Sequence, residues 1–326
     1  MNLGEEIFSI DNEEELNRVA LAIFRFQVEH NIVYHDYLRI LGIRIGEVNM
    51  YREIPFLPIG FFRTHDVYCG EHPPQKRFLS SGTTAKERSR HEIAKLSLYK
   101  ESLLQGFRIF FGDPSDYIIL ALMPSPGENP DSSLIFMTDT FMRQGNNQEN
   151  GFFMNDFKGL VNVLNKHRIS GKKVILMGLS YALLDFVNLY QVSFPELTVI
   201  ETGGMKGRRK EMVREELHSL LSEGFGVKQI RSEYGMTELL SQAWSQGDGI
   251  FSTPPWMKVL VRDPNDPFQL SANGEAGGIN IIDLANIYSC SFISTQDIGK
   301  VNEKGSFEVL GRFDNSDIRG CNLMVI

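Results

Sequence analysis

Short apolar runs alternate with amphipathic stretches from about residue 80 onward, and this alternation limits the fold more than any other feature of the chain. The runs at 117–123, 174–177, 197–201 and 227–230 have the length and composition of buried strands, and helical patterns lie over 181–190 and 208–223. Strands that alternate with helices pack as a largely parallel sheet with helices against its faces. We therefore predict a layered α/β fold.

The two flanking regions differ from this pattern. Asp11 followed by Glu14 resembles a capping box and predicts a first helix, which a second helix over 33–41 follows. After residue 255, short strand-like runs lie at 257–261, 278–282, 288–293 and 306–310, separated by Asn, Asp, Gly and Pro. They predict a β-rich subdomain over about 256–310.

Composition and charge exclude several classes of protein. The chain of 326 residues carries a net charge of −8 at pH 7, which argues against nucleic-acid binding. Its three cysteines, Cys69, Cys290 and Cys321, are far apart and have neither a disulfide framework nor the spacing of a zinc site. No signal peptide is seen, and apolar runs such as 117–123 are too short to cross a bilayer. We expect a cytoplasmic protein with no membrane span.

Residues 80–84 form the first of four segments with candidate chemistry. The segment consists of Ser80, Ser81, Gly82, Thr83 and Thr84, and the cation Arg88 follows it closely. Small hydroxyl residues around a glycine allow backbone N–H groups to surround an anion, and a nearby cation adds charge-assisted contacts. A polar surface turn explains the segment alone equally well. The sequence has no Walker-type phosphate loop.

The second segment, Tyr234-Gly235-Met236-Thr237-Glu238, follows a predicted strand, where open α/β sheets bind ligands. Thr237 offers a hydroxyl to phosphate, Glu238 offers the hard oxygen that Mg²⁺ prefers, and Tyr234 is placed to stack on a base. A strand-to-helix turn with Thr237 or Glu238 as its cap explains this segment alone equally well.

Two further segments lie in or just after the β-rich region. In the segment 295–299, the carboxylate of Asp297 is expected at a β-turn and can accept hydrogen bonds from both ribose hydroxyls, although Asp297 and Gly299 would also shape an ordinary hairpin. Arg312 directly follows a predicted strand, and its guanidinium can reach a ribose or an α-phosphate, unless it belongs to a solvated charged tail.

In this order, the four segments resemble the adenylate-forming superfamily of acyl-CoA ligases, peptide-synthetase adenylation domains and beetle luciferases. The resemblance covers about residues 80–320 and includes Gly203 and Gly204, which match a Gly-Gly segment beside the adenine. It implies an enzyme that uses ATP and Mg²⁺ to activate a carboxylic acid as an acyl-adenylate.

The resemblance also implies a role for each segment. The hydroxyl-rich loop and Arg88 would hold the β- and γ-phosphates. Thr237 and Glu238 would place the α-phosphate and Mg²⁺, with Glu238 as the metal ligand. Asp297 and Arg312 would hold the ribose.

Residues 315–321, together with 80–84 and 202–208, are most similar to the acyl-protein synthetase of the bacterial luminescence fatty-acid reductase complex. This resemblance implies that a fatty acid is activated and then loaded onto Cys321, with an acyl reductase or an acyl carrier as a partner. It also implies a catalytic domain over 1–311 and a hinge and acyl-acceptor tail over 312–326. Because only residues 313–326 follow Arg312, the mobile C-terminal domain of the superfamily is expected to be lacking.

The sequence departs from the superfamily pattern at Ala85 and Gln296, where glycines are usual, and at Arg88, where a lysine is usual. The catalytic lysine of the superfamily belongs to the C-terminal domain. We expect Lys86, Arg88 or Lys206 to substitute for it, or adenylation to be slow without a partner.

Three other functions stay open. Phenylacetate-CoA ligases are more distantly similar and would transfer the acyl group to CoA, and a non-catalytic acyl- or nucleotide-binding module would need no lysine. The segment 178–182 nearly matches the nucleophile elbow of α/β-hydrolases, which predicts a serine esterase or acyltransferase that uses Ser180. Against this, Ala182 replaces the last glycine of that motif, and the only later histidine is His218.

Overall fold

The computed structural model describes residues 3–70, 73–81, 88–203 and 212–313 of the protein. Its α-helices are α1 Leu3–Ile7, α2 Glu13–His30, α3 Ile32–Ile40, α4 Phe61–Thr64, α5 Leu96–Phe111, α6 Ser133–Gly145, α7 Phe157–Ser170, α8 Ser180–Leu189 and α9 Arg214–Phe225. None of these described helices is both long and apolar enough to cross a membrane.

The strands divide between one large sheet and a separate hairpin. They are β1 Leu57–Pro58, β2 Lys76–Leu79, β3 Arg90–Ile93, β4 Tyr117–Leu122, β5 Gly151–Phe152, β6 Lys173–Leu179, β7 Thr198–Thr202, β8 Arg231–Tyr234, β9 Ala243–Ser245, β10 Ile250–Ser252, β11 Met257–Arg262, β12 Gly277–Asp283, β13 Phe292–Val301 and β14 Phe307–Arg312. Strands β2 and β3 form the antiparallel hairpin, and the other strands form the sheet.

The large sheet is parallel in one half and antiparallel in the other. Its order is β11-β12-β13-β14-β10-β9-β8-β7-β6-β4-β5, with β1 added in parallel to β13. The pairs among β4 to β8 are parallel. Every other neighbouring pair in this order, from β8 and β9 to β12 and β11, is antiparallel. The predicted α/β fold with a β-rich region is confirmed.

The central parallel strands β4 and β6 are apolar because helices cover them. In β4, the residues from Ile118 to Leu122 are each at most 1% exposed, and so are the residues from Val174 to Met177 in β6. Aromatic rings join the covering helices in two clusters. Phe107, Phe111, Phe141 and Trp244 connect α5, α6 and β9, whereas Phe157, Phe186 and Phe225 connect α7, α8 and α9.

The N-terminal helices pack against the antiparallel half. The ring of Phe24 from α2 contacts those of Tyr34 and Phe292, and Gln27 donates hydrogen bonds to the backbone carbonyls of Asn286 and Ile287. Gln27 is fully buried, so these bonds satisfy an amide that would otherwise be costly inside the core.

Several predicted elements differ from the structure. The run 227–230 does not form a strand, because Val227 turns back to bond Ser222 and its apolar side chain is buried in the turn, while the more polar Arg231–Tyr234 pairs with β7 as β8. The strand predicted at 288–293 begins only at Phe292. The cap of α2 is Asn12, whose side chain accepts a hydrogen bond from Glu15 N, and not Asp11.

Candidate active site

Asp297 joins two distant segments of the predicted nucleotide site. Its Oδ2 accepts a hydrogen bond of 2.8 Å from the hydroxyl of Tyr234, and its Oδ1 lies 3.5 Å from Nε of Arg312. The antiparallel register of β13 and β14 places Asp297 directly opposite Arg312. Since β8 ends at Tyr234, three of the predicted residues meet at the end of one parallel strand.

The segment 295–299 is not a turn, which corrects the sequence prediction. It lies inside β13, where the pairing with β14 shifts register between Ile298 and Gly299, and the hairpin turn comes later, where Gly305 has a φ of 83°. Such a shift redirects the side chains of the strands that carry it. Asp297 is therefore presented from an interior strand, paired with both β12 and β14, beside this shift.

Buried Arg262 supports the strand that carries Asp297. One guanidinium nitrogen donates to the backbone oxygen of Thr295 at 2.6 Å, and another donates to Ile279 O and to the side chain of Asn280. Burial raises the pKa of Asp297, whereas Tyr234, Arg312 and Arg262 act in the opposite direction. The site thus desolvates a carboxylate and surrounds it with hydrogen-bond donors and cations.

The ring of Tyr234 packs within a group of aromatic residues. It contacts Phe307 and Phe251 at centroid distances of 5.4 and 5.8 Å. Burial raises the pKa of Tyr234 well above its usual value, and the nearby Asp297 carboxylate adds to this effect. The tyrosine is therefore a neutral donor that orients Asp297. Gly235, the next residue, is exposed.

Glu238 lies in the turn after β8 and is only 6% exposed. Burial raises the pKa of its carboxyl group. A hydrogen bond from the side chain of Ser89 lowers this pKa in part, and so does the longer-range attraction of Arg63 and Arg312. Ser89 closes the segment 80–89, so Glu238 sits at the base of the predicted phosphate loop.

This carboxylate suits a magnesium ion shared with a nucleotide. In the described parts of the chain, no three His, Cys, Asp or Glu side chains cluster as a metal cage. Mg²⁺ is commonly bound by one or two carboxylates together with substrate phosphates. A single desolvated carboxylate beside the predicted phosphate loop has the donor chemistry for that arrangement.

The base of the segment 80–89 is held closed by three contacts. Ser80 N donates to Ser89 O, Ser89 N donates to the hydroxyl of Ser80, and Nε of Arg88 donates to Ser80 O at 2.6 Å. Ser81 is exposed. Predicted site residues outside the described ranges are Gly82, Thr83, Thr84, Gly204 and Cys321, and so are the proposed lysine substitutes Lys86 and Lys206.

Hydrogen bonds to buried polar side chains hold the turn at Thr237 and Glu238 and the residues that follow it. Asp283 accepts hydrogen bonds from the backbone N–H groups of Leu240 and Ser241 and from the Ser241 hydroxyl. The fully buried His91 lies 2.7 Å from Thr237 O through Nδ1, and burial lowers its pKa to about 4, so it is neutral near pH 7.

The end of β7 presents the segment predicted to lie beside the adenine. Thr202 donates to the carboxylate of Glu233 at 2.5 Å, and exposed Gly203 has a φ of 77°, which favours glycine. Parallel strands β7 and β8 end on the same edge of the sheet. Gly203 and Tyr234 are thus placed on one edge.

Ser180 is not arranged as a hydrolase nucleophile. Ser180 is 1% exposed, and its hydroxyl donates to Oε2 of Glu201 at 2.6 Å. Nε2 of His218 lies 3.6 Å from Oε1, the other oxygen of the same carboxylate. In a catalytic triad, the serine proton must pass to the histidine. Here the carboxylate separates the two, so the geometry does not support the esterase alternative.

Sequence reasoning missed the residues that support the site. These are Ser89, His91, Arg262, Asp283 and Asn286. Arg262, Asp283 and Asn286 lie in or next to apolar strands or short turns, whereas Ser89 and His91 lie within the polar run 86–92. No spacing in the sequence signals the partner of any of them. Their roles become visible only when distant strands are brought together.

Comparison with known proteins identifies the same family. Residues 133–326 match the sequence profile described as Acyl-protein synthetase, LuxE. A curated relative, the long-chain-fatty-acid–luciferin-component ligase of Aliivibrio fischeri, is 25% identical over 186 residues, which are 52% of this chain and 49% of that protein. The matched region therefore spans about half the length of this curated relative.

Solved structures of ligases have the same fold. The open form of 2-hydroxyisobutyryl-CoA ligase, in complex with 2-HIB-AMP and CoA, matches with a TM-score of 0.67 and 11% identity over 94% of this chain and 72% of that chain. ATP-bound MatB of Rhodopseudomonas palustris matches with a TM-score of 0.54 and 17% identity, over 72% of this chain and 47% of that chain. The fold is that of the adenylate-forming ligases, and the profile match shows that the chain belongs to the LuxE acyl-protein synthetase family.

Proposed function

We propose that this protein uses ATP to activate a fatty acid as an acyl-adenylate and then transfers the acyl group to a thiol, that of its own Cys321. The observation that carries the proposal is the meeting of segments far apart in sequence. Asp297 contacts both Tyr234 and Arg312, and Glu238 lies against Ser89 at the base of the segment 80–89.

In the first half-reaction, the substrate carboxylate attacks the α-phosphorus of ATP, the bond to the bridging oxygen breaks, and pyrophosphate leaves. Positioning and charge neutralisation supply most of the catalysis in such a transfer. Asp297 would bind the ribose hydroxyls, with Arg312 beside it, and Thr237 and Arg88 would contact phosphates. Gly203 and Tyr234 would border the adenine.

Glu238 would hold Mg²⁺ in this half-reaction. When bound there, the ion would supply charge neutralisation to the phosphates and to the departing pyrophosphate. The carboxylate is already desolvated, so a divalent cation beside it removes the cost of burying its charge.

A fatty acid is proposed as the substrate because of the family and the curated relative. That relative is named as a ligase of long-chain fatty acids. An acyl reductase or an acyl carrier would receive the acyl group after the protein's own thiol. Free thiols suit a reducing compartment, and we propose the cytoplasm.

In the second half-reaction, a thiolate attacks the carbonyl carbon of the adenylate, a thioester forms, and AMP leaves. Cys69 and Cys290 are poorly suited to this role. Both are buried, with exposures of 6% and 0%, and burial raises the pKa of each thiol, to about 12 for Cys290. A protonated, inaccessible thiol is a poor nucleophile. These properties support Cys321, within a proposed acceptor tail over 312–326.

A labelling experiment tests the acceptor. Wild-type protein given ATP, Mg²⁺ and radiolabelled myristic acid should become covalently labelled, and neutral hydroxylamine should release the label, as expected for a thioester. Cys321→Ser should keep pyrophosphate exchange but lose labelling, because a serine hydroxyl is far less ionised than a thiol of pKa about 8.5.

Cys69→Ser and Cys290→Ser are the matched controls, and both should still be labelled. Labelling that persists in Cys321→Ser would contradict the assignment. Wild-type protein that stays unlabelled but forms acyl-CoA when CoA is added would favour the CoA-ligase alternative. Binding of ATP without either product would favour the non-catalytic module.

A further inference from the structure

His91 connects two parts of the proposed site that are far apart in sequence. It lies in β3, on the strand that leaves the segment 80–89, and is 1% exposed. Nδ1 is 2.7 Å from the backbone oxygen of Thr237, and Nε2 is 2.9 Å from Oδ1 of Asn286. One imidazole thus spans from the β2–β3 hairpin to the turn after β8.

Asn286 has only one orientation that satisfies its surroundings. Its amide nitrogen donates to Glu238 O at 2.8 Å and to Cys290 O at 3.0 Å. A flipped amide would point its oxygen at both of these carbonyls. Oδ1 therefore faces His91, and both nitrogens of His91 face oxygen acceptors.

The neutral ring has a single N–H, so it can donate to only one of these acceptors. The contact of Nδ1 with Thr237 O is shorter than that of Nε2 with Asn286. It also joins the hairpin directly to the turn after β8, which the contact with Asn286 does not. Ser89, two residues before His91 in the chain, bonds the carboxylate of Glu238 in the same turn. Two adjacent contacts therefore tie the hairpin to the residues Thr237 and Glu238.

We propose that His91 is a positioning residue that fixes the distance between the base of the segment 80–89, at Ser80 and Ser89, and the turn of Thr237 and Glu238 by donating its Nδ1 proton to Thr237 O. The inference rests on the proposed function, in which the first element holds the β- and γ-phosphates and the second holds the α-phosphate. In-line transfer requires both ends of the triphosphate to be held in one geometry. A displacement of about 1 Å can cost on the order of 10²-fold in rate.

A pair of conservative variants separates the two contacts of His91. The amide nitrogen of Asn stands at the same number of bonds from Cβ as Nδ1, whereas that of Gln corresponds to Nε2. His91→Asn therefore keeps a donor for Thr237 O, and His91→Gln keeps one for Asn286. His91→Ala removes both contacts.

Myristate-dependent exchange of labelled pyrophosphate into ATP is measured in each variant over a range of ATP concentrations. We expect kcat to fall about tenfold or more in His91→Ala and His91→Gln. In His91→Asn, kcat should stay within about threefold of wild type. The KM for ATP should change little in all three variants. The matched control is His167→Ala. It removes a histidine near the end of α7 that is also 1% exposed, whose Nδ1 lies 3.0 Å from the Ser170 hydroxyl and whose Nε2 lies 3.0 Å from a Glu149 carboxylate oxygen.

The melting temperature of every variant is recorded alongside. If His91→Ala does not fold, the comparison of His91→Asn with His91→Gln decides. Wild-type kcat in His91→Gln, or equal loss in His91→Gln and His91→Asn, would overturn the inference while the proposed function stands. A wild-type protein without exchange would overturn the proposed function and the inference together.

Discussion

Asp297 uses its two carboxylate oxygens on different parts of the molecule. One oxygen accepts the Tyr234 hydroxyl, and the other faces Arg312 across the hairpin. A cross-strand ion pair of this kind contributes little to stability when its cation is exposed, and Arg312 is 63% exposed. The ion pair alone therefore does not offset the desolvation of Asp297, which agrees with the proposal that this carboxylate binds a ligand.

Asp297→Ala should raise the KM for ATP by about tenfold or more, because hydrogen bonds to a charged acceptor contribute about 1.5–3 kcal/mol each. The kcat at saturating ATP should change less. The measurement is the ATP dependence of acid-dependent pyrophosphate exchange.

Tyr234→Phe is the control for this change, because it removes the hydrogen bond to Asp297 but keeps the ring. A KM for ATP that rises equally in Tyr234→Phe would mean that Asp297 acts by holding Tyr234. A normal KM for ATP in Asp297→Ala would show that Asp297 does not bind ATP and serves only the pairing of β13 with β14.

The sequence allows the residues of the proposed nucleotide site to be selected because their segments follow one another in the order of the resembled superfamily. Tyr234, Asp297 and Arg312 are separated by long intervals, and the prediction that they act together agrees with their contacts. His91 and Arg262 could not be predicted in the same way. A buried histidine or arginine has meaning only through its partners, and these are set by tertiary contacts.

At the scale of elements, apolar periodicity predicted the strands β4, β6 and β7 and the helices α8 and α9 of the parallel half, but no helix was predicted over α5, α6 or α7. The misplaced strand at 227–230 arose where burial and strand pairing separate. Val227 and Ile230 are buried without belonging to a strand, while the half-buried residues of β8 complete the ladder. Likewise, the composition of the segment 295–299 suggested a turn, but β13 pairs with β14 from Asp297 to Val301.

Gly277 illustrates how closely the strands of the antiparallel half approach one another. A Cβ atom at this buried position would lie 2.2 Å from the backbone oxygen of Arg262 and 2.8 Å from Cγ1 of Val261. Backbone atoms of a paired strand cannot move aside cheaply. Gly277→Ala should therefore destabilise the protein by about 1–3 kcal/mol.

The measurement is the thermal unfolding midpoint, followed by circular dichroism. Gly46→Ala is the matched control, since nothing lies within 4 Å of the added Cβ atom and its φ is not positive. Equal midpoints for the two variants would show that the strands β11 and β12 can separate without cost.

At the scale of the whole molecule, one sheet carries both halves of the site. The parallel half supplies the end of β7 and the turn after β8, and the antiparallel half supplies Asp297 and Arg312. The β2–β3 hairpin, outside this sheet, brings Ser89, at the base of the segment 80–89, to Glu238. The division of the chain at residue 311 into a catalytic domain and a tail remains a proposal.

The central claim is that this arrangement activates a carboxylic acid with ATP. The direct measurement is the exchange of ³²P-labelled pyrophosphate into ATP by the purified full chain, with and without myristate, in the presence of Mg²⁺. Glu238→Gln, which keeps the shape of the side chain but removes its charge, is assayed beside the wild type. Its melting temperature is compared to exclude unfolding.

We predict exchange by the wild type that requires both the acid and Mg²⁺, and a loss of about tenfold or more in Glu238→Gln, because a neutral amide is a much weaker Mg²⁺ ligand than a carboxylate. Exchange that is equal in wild type and Glu238→Gln would contradict the role of Glu238. No acid-dependent exchange by the wild type with myristate or with any other acid of a panel of aliphatic and aromatic acids would contradict the central claim itself.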